Sequence, residues 1–257
     1  MSKRGNKRRR LEAAIARIHR RYGSQALVKG TPPTAVGRTG AIPHIPTGFS
    51  ALDEALGVGG LPKGSVCELT GPATSGKTTL ALKFLAQAQH GGGQVGYVDQ
   101  ARSFDPGYAH RCGLDLSRLL VVAPYDLPEA LAMAEALAGS GGLGALVFDG
   151  LEGLWGEAQM APLVAAWLDR LIAPLARSGT VLLFLHGPPG ERSPALSALA
   201  HHATVRLHIV REQWLRSHGD IRGYEARVEV LKNRLGPAGR AVTIAIEFDG
   251  TVRGNGL

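Results

Sequence analysis

G-P-A-T-S-G-K-T-T, residues 71–79, decides how this chain is read. It matches G-x-x-x-x-G-K-[ST] and lies between an apolar run, S-V-C-E-L-T, and a segment near 77–90 of helical composition, which is the strand–loop–helix context the motif requires. Gly71 and Gly76 let the backbone turn its N–H groups toward phosphate oxygens, and a helix N-terminus adds a favourable dipole. Gly71, Pro72, Ala73, Thr74, Ser75, Gly76, Lys77, Thr78 and Thr79 are therefore the candidate phosphate-binding set. Lys77 is placed to reach the β- and γ-phosphates of a nucleotide and the Thr78 hydroxyl to bind Mg²⁺.

Two later strand ends bear on the same chemistry. L-V-F-D-G ends in Asp149, a carboxylate at the end of an apolar strand, the natural second ligand of that Mg²⁺. Y-V-D-Q-A-R-S-F-D-P, residues 97–106, is where a water-activating carboxylate is expected, yet after Asp99 come Gln100, Ala101 and Arg102. Gln100, and Glu152 just beyond Asp149, are the candidate substitutes for a catalytic base, and both must meet a geometric test first. Along an extended chain Gln100 points away from residue 101.

From about residue 65 apolar strands and helical segments alternate: S-V-C-E-L-T, Q-V-G-Y-V-D, L-L-V-V-A, A-L-V-F-D and V-L-L-F-L, with helices near 77–90, 127–138 and 158–177. This predicts an α/β core, a mainly parallel twisted sheet flanked by helices. After residue 203 the pattern changes to two-residue alternation in T-V-R-L-H-I-V-R, Y-E-A-R-V-E-V-L-K and A-V-T-I-A-I-E-F, broken by H-G-D and G-P-A-G, which predicts a terminal antiparallel meander. Leu11, Ile15, Ile18 and Tyr22 recur at helical spacing, and a Pro/Gly/Thr-rich stretch follows over 30–48. The expected organisation is a basic tail (1–10), a helical arm with linker (11–47) and the core (48–257).

The net charge is +8, but Lys3, Arg4, Lys7, Arg8, Arg9 and Arg10 supply six of those charges and leave only +2 for the rest. A short basic block is either a solvated tail or an arm for a polyanion such as nucleic acid, with Arg8, Arg9 and Arg10 its densest part. No apolar run approaches a membrane span and no signal-peptide pattern follows the basic start, so a cytoplasmic protein with no membrane partner is expected. Cys67 and Cys112 show no metal or redox spacing, and the adjacent His201 and His202 are read as structural or surface residues.

Together these segments resemble the RecA recombinase family from about residue 11 to 250. T-G-F-S-A-L-D-E-A-L-G-V-G-G-L-P-K-G resembles the lead into that family's phosphate loop. D-P-G-Y-A-H-R-C-G-L-D, V-L-K-N-R-L-G-P-A-G-R and R-Y-G-S-Q-A-L-V-K-G resemble the segment after its next strand, its late strand with basic turn, and its subunit-packing arm. The resemblance implies ATP and Mg²⁺ as cofactors, with Asp105 and Tyr108 cradling the adenine. It implies that Lys232 and Arg234 reach ATP in the adjoining subunit, and that the partners are single-stranded DNA and either further copies of the chain or a recombinase subunit.

The departures from the family matter equally. Its water-orienting glutamate falls at Ala101, and its strand-ending Asn-Gln pair falls at His186 and Gly187, of which His186 could still contact phosphate. The loops after Asp149 and His186, L-E-G-L-W-G-E and G-P-P-G-E-R-S-P, are short, with Trp155 either a stacking residue or a core one and Arg192 the single cation of the second. The chain stops soon after the meander, which implies that the family's C-terminal domain is absent. Three readings stand: a DNA-repair ATPase, a slowly or non-hydrolysing accessory partner of a recombinase filament, and a translesion-polymerase partner resembling the ImuA group, whose phosphate loop is typically degraded. Kinase-like or clock-like relatives of the same core fit the arm and the basic turn less well.

Overall fold

A computed structural model describes residues 12–17, 20–21, 41–151, 160–188, 194–248 and 252–254. The chain divides into two units, Met1–Ala41 and Ile42–Leu257. In the first, residues 12–17 and 20–21 are helical, within the expected amphipathic segment.

The second unit is α/β. In chain order it contains β1 (His44–Ile45), α1 (Ser50–Leu56), β2 (Leu61–Pro62), β3 (Val66–Thr70), α2 (Lys77–His90), β4 (Gln94–Asp99) and α3 (Pro106–Arg111). Then follow β5 (Leu119–Val122), α4 (Leu127–Gly139), β6 (Leu143–Asp149), α5 (Met160–Ser178), β7 (Val181–His186) and α6 (Pro194–His202). The antiparallel strands β8 (Val205–Ser217), β9 (Asp220–Asn233), β10 (Ala241–Phe248) and β11 (Val252–Gly254) close it. The main sheet has the order β11-β10-β9-β8-β3-β7-β6-β4-β5, parallel from β8 to β5 and antiparallel from β8 to β11.

Parallel strands covered on both faces read as near-continuous apolar runs, and β3 and β7 are buried at every position, the polar Glu68, Thr70 and His186 included. Successive side chains feed opposite layers. Cys67 and Leu69 of β3 join Leu52, Leu80, Phe84 and Ala109 of α1–α3 on one face, while Val66, Phe148 and Phe184 join Leu131, Trp167, Leu171 and Leu196 of α4–α6 on the other.

Local chemistry sets the helix starts. Asp126 accepts from Glu129 N at 2.8 Å with a proline in the first turn of α4, and Asp105 accepts from Tyr108 N at 2.9 Å at the start of α3. The expected strands and the helices α2, α4 and α5 stand close to where the sequence puts them, and the meander is present. The hairpin β8–β9 is longer than its alternation suggests, because register shifts at Arg211/Gln213 and Leu215/Arg216 break the two-residue period midway. The short helices α1, α3 and α6 are additions to the sequence reading.

A candidate nucleotide site at the ends of the parallel strands

The C-terminal ends of the parallel strands lie side by side. Thr70 of β3 pairs with His186 of β7, and Asp99 of β4 with Asp149 of β6. This edge of an open α/β sheet is where ligands bind in such folds.

The phosphate loop leaves β3 at Gly71, where only glycine fits: a Cβ there would lie 2.2 Å from the Ile209 carbonyl oxygen. At its far end Gly76 adopts φ of +103° and opens α2, whose first-turn N–H groups face the loop. Lys77 Nζ donates to the carbonyls of Gly71 at 2.6 Å and Pro72 at 2.8 Å, so the ammonium is held against the loop in which phosphates would sit. Thr74, Ser75, Gly76, Lys77, Thr78, Thr79 and Tyr224 line a cavity of about 170 Å³. Ser75 Oγ is buried and accepts or donates no hydrogen bond within the described residues.

Thr78 is exposed at the start of α2, and Asp149 ends β6 half-buried. A hydroxyl and a carboxylate are the hard oxygen donors Mg²⁺ takes alongside nucleotide phosphates, so this pair suits the ion. Tyr97 donates its hydroxyl hydrogen to Asp149 Oδ2. Burial, then the Asp149 charge, raises the Tyr97 pKa, which keeps the phenol a donor.

On the adenine side named by the resemblance, Asp105 is the cap of α3, and Tyr108 Oη lies 2.6 Å from Thr79 Oγ1, with the Arg111 guanidinium 5.5 Å from its ring centroid. Tyr108 is thereby tied to the first turn of α2. Burial pushes its phenol up to about 12.

The stretch after β4 carries no carboxylate free to act on water. Asp99 is spent on a turn, accepting from Ser103 N at 2.9 Å and Phe104 N at 3.1 Å. Gln100 N and Ala101 N both donate to Asp149 O, at 3.0 and 3.3 Å, and Gly150, at φ +106°, leaves room for the Ala101 amide, 2.5 Å from where its Cβ would be. Ala101 is exposed and offers only a methyl, whereas Gln100 is half-buried with its Oε1 enclosed and unpartnered among the described residues. Glu152, Trp155, Arg192 and the tail residues Arg8, Arg9 and Arg10 lie outside the described residues.

His186 is turned inward rather than toward phosphate. Its Nδ1 is 2.7 Å from Gly187 O and its Nε2 is 3.1 Å from Glu68 Oε1, at 1% exposure for both side chains. Arg206 completes the network, donating from Nε to Glu68 Oε2 at 2.7 Å and from Nη2 to Oε1 at 3.0 Å. Burial opposes the Glu68 charge, but the His186 and Arg206 hydrogen bonds and the Arg206 charge hold its carboxyl below the usual value. Sequence reading missed this network; a lone glutamate in an apolar strand, E68 in S-V-C-E-L-T, was its only visible sign.

Lys232 and Arg234 sit together at the end of β9 and cap α6. Lys232 Nζ donates to Ala200 O at 2.7 Å and His201 O at 2.9 Å, and Arg234 Nη2 donates to His201 O. Burial, then the neighbouring Arg234 and Arg206 charges, lowers the Lys232 pKa. His201 and His202 form no metal cluster among the described residues; their rings meet edge-on, 5.3 Å apart, and His202 Nε2 lies 3.4 Å from Asp169 Oδ1. Cys67 and Cys112 are buried free thiols, and no described helix is long and apolar enough to cross a membrane.

The model of the RecA N-terminal domain matches residues 9–253. Protein RecA of Methylococcus capsulatus is 37% identical over 265 residues, covering 95% of this chain and 75% of that protein. Protein RecA of Caulobacter sp. strain K31 is 36% identical over 269 residues, covering 95% and 72%, and that of Thioalkalivibrio sulfidiphilus is 37% identical over 254 residues, covering 90% and 73%. With the phosphate loop, the paired strand-end aspartates and the antiparallel extension in their places, this chain is a member of the RecA family.

Proposed function

We propose that this protein binds Mg²⁺-ATP at Gly71–Thr79 and serves DNA repair and homologous recombination by associating with single-stranded DNA and assembling with itself or a recombinase, with weak ATP hydrolysis. The observation that carries the reading is the combination of a complete phosphate loop with Ala101 at the family's glutamate position. Loss of a general base costs about 10²–10⁴-fold in rate, whereas nucleotide binding needs only the loop, Lys77 and the metal pair. The intact loop favours this reading over the polymerase-partner one. In it, Thr78 and Asp149 hold Mg²⁺, Asp105 and Tyr108 receive the adenine, and Lys232 and Arg234 meet the ATP of an adjoining subunit by charge neutralisation. Arg192, Arg8, Arg9 and Arg10 are its DNA contacts, and Gln100 and Glu152 its residual candidates for positioning water.

Two exposed apolar surfaces favour assembly. Among the described residues β5 is an edge strand, with Leu120 and Val121 41% and 42% exposed, a ladder suited to another chain. Where β9 ends, Leu231, an extra residue in a bulge of β9, and Leu235 are exposed beside Lys232 and Arg234 in the chain. Two distinct exposed apolar surfaces, one on β5 and one at the end of β9, are suited to head-to-tail contacts. The test of the site is titration of a fluorescent ATP analogue into the native protein and Lys77→Ala. Binding abolished in the variant is the expected result, and unchanged affinity would sink the site assignment.

A further inference from the structure

Among the described residues lining the cavity over the phosphate loop, Tyr224 alone comes from outside Thr74–Thr79. It belongs to β9, in the antiparallel half of the sheet, and neither the loop motif nor the resemblance assigns it a role. Its hydroxyl stands against the loop–helix junction: a Cβ on Gly76 would lie 2.7 Å from Tyr224 Oη. From there it donates to Thr79 Oγ1 at 3.2 Å, the same oxygen that Tyr108 Oη engages at 2.6 Å.

The ring is held firmly. Trp214 meets it edge-on at 5.9 Å and Phe248 lies at 5.8 Å, leaving the residue 6% exposed. Tyr224 nonetheless lines the cavity together with Gly76–Thr79, the opening turn of α2, where anions are favoured. Burial raises the phenol pKa, so the group is a neutral O–H donor throughout the working range.

Building on the ATP-binding reading, we propose that Tyr224 is a nucleotide-contacting residue, its hydroxyl donating to a phosphate oxygen held over Gly76–Thr79. The three hydroxyls allow this without moving a heavy atom. Hydroxyl hydrogens rotate to suit, so Tyr108 donates to Thr79, Thr79 donates to Tyr224, and Tyr224 turns its hydrogen to the anion. A neutral acceptor is exchanged for a charged one, which is the stronger bond. The antiparallel extension thereby takes part in holding the phosphates, and Trp214, with Arg211 stacked 4.1 Å over its ring, connects that contact to the exposed face of the β8–β9 hairpin.

The test is calorimetric titration of the full chain and of Tyr224→Phe with Mg²⁺-ATP and with inorganic tripolyphosphate, which lacks base and ribose. Tyr224→Phe keeps the ring and its packing, and a melting curve without ligand checks that the fold is kept. Expected is a loss of about tenfold in affinity for both ligands, the usual cost of one hydrogen bond to a charged group. Affinities within twofold of native for both would overturn the proposal, as would a loss confined to ATP, which would move the contact to the ribose or base. A second measurement repeats the substitution in Thr79→Val. A direct contact still costs about tenfold there, and no further loss would show that Tyr224 acts only through Thr79. If the native protein fails to bind ATP at all, the ATP reading itself fails, an outcome separate from these.

Discussion

Breaking the Glu68–His186–Arg206 network should cost far more than removing all of it. Glu68 is 1% exposed and accepts from the Arg206 guanidinium at two points, 2.7 and 3.0 Å, while His186 Nε2 lies 3.1 Å away at 1% exposure. Glu68→Met leaves the guanidinium, whose side chain is 25% exposed, without its carboxylate, and the buried His186 ring without its Glu68 hydrogen-bond partner. Removing one partner of a buried pair typically costs about 3–5 kcal/mol. For a unit of this size that corresponds to a fall in Tm of roughly 10 °C. The triple replacement Glu68→Met, His186→Leu, Arg206→Met exchanges the whole network for apolar volume and should return to within about 2 kcal/mol of native, because the desolvation penalty disappears with the charges. The assay is urea unfolding followed by far-ultraviolet circular dichroism. A single variant within about 1 kcal/mol of native, or a triple variant worse than the single, would refute the reasoning.

The same network fixes a pH dependence. The folded-state Glu68 carboxyl lies below its ordinary value of 4.5, so on acidification the unfolded chain takes up this proton first. Its stabilisation is fully present above about pH 4.5 and is lost as the pH falls through the folded-state value. Native protein should lose stability on that acid limb more steeply than the triple variant; parallel limbs would show that Glu68 is not the group responsible.

Two further outcomes are expected. Replacing Lys232 and Arg234 with Ala removes the cap on the last carbonyls of α6 and should destabilise the isolated chain by only about 1 kcal/mol, while sharply reducing ATP-dependent assembly measured by light scattering; undiminished assembly would confine the pair to the capping role. Neutralising the basic residues among positions 3–10 should weaken single-stranded DNA binding and flatten its dependence on salt, since fewer counterions are released, and an unchanged salt slope would make the tail a bystander.

What the sequence disclosed were the features carried by contiguous residues. Gly71–Thr79 has a fixed spacing, Asp149 ends an apolar run, and the alternation of strands and helices is local, so the core and the phosphate site were legible without coordinates. What it concealed were contacts set by strand register. Tyr97 reaches Asp149 across 52 residues, Tyr224 reaches Thr79 across 145, and His186 and Arg206 reach Glu68 across 118 and 138. No local periodicity encodes such pairings, because they depend on which strands become neighbours. His186 illustrates the difference: as a letter at a strand end it was open to a phosphate, but the parallel pairing of β3 with β7 turns it onto Glu68. The hairpin was under-read for a related reason, since bulges in β8 and β9 erase the alternation that marks a strand.

The central claim, a site that holds ATP with little power to cleave it, is tested most directly by steady-state ATP hydrolysis with and without single-stranded DNA, native protein beside Ala101→Glu. Residue 101 is exposed, so the longer side chain needs no repacking of the core. The account predicts native turnover at least about 100-fold below that of the variant, the contribution a positioned general base supplies. Native turnover that DNA stimulates to the level of Ala101→Glu would contradict it and assign the base to another residue.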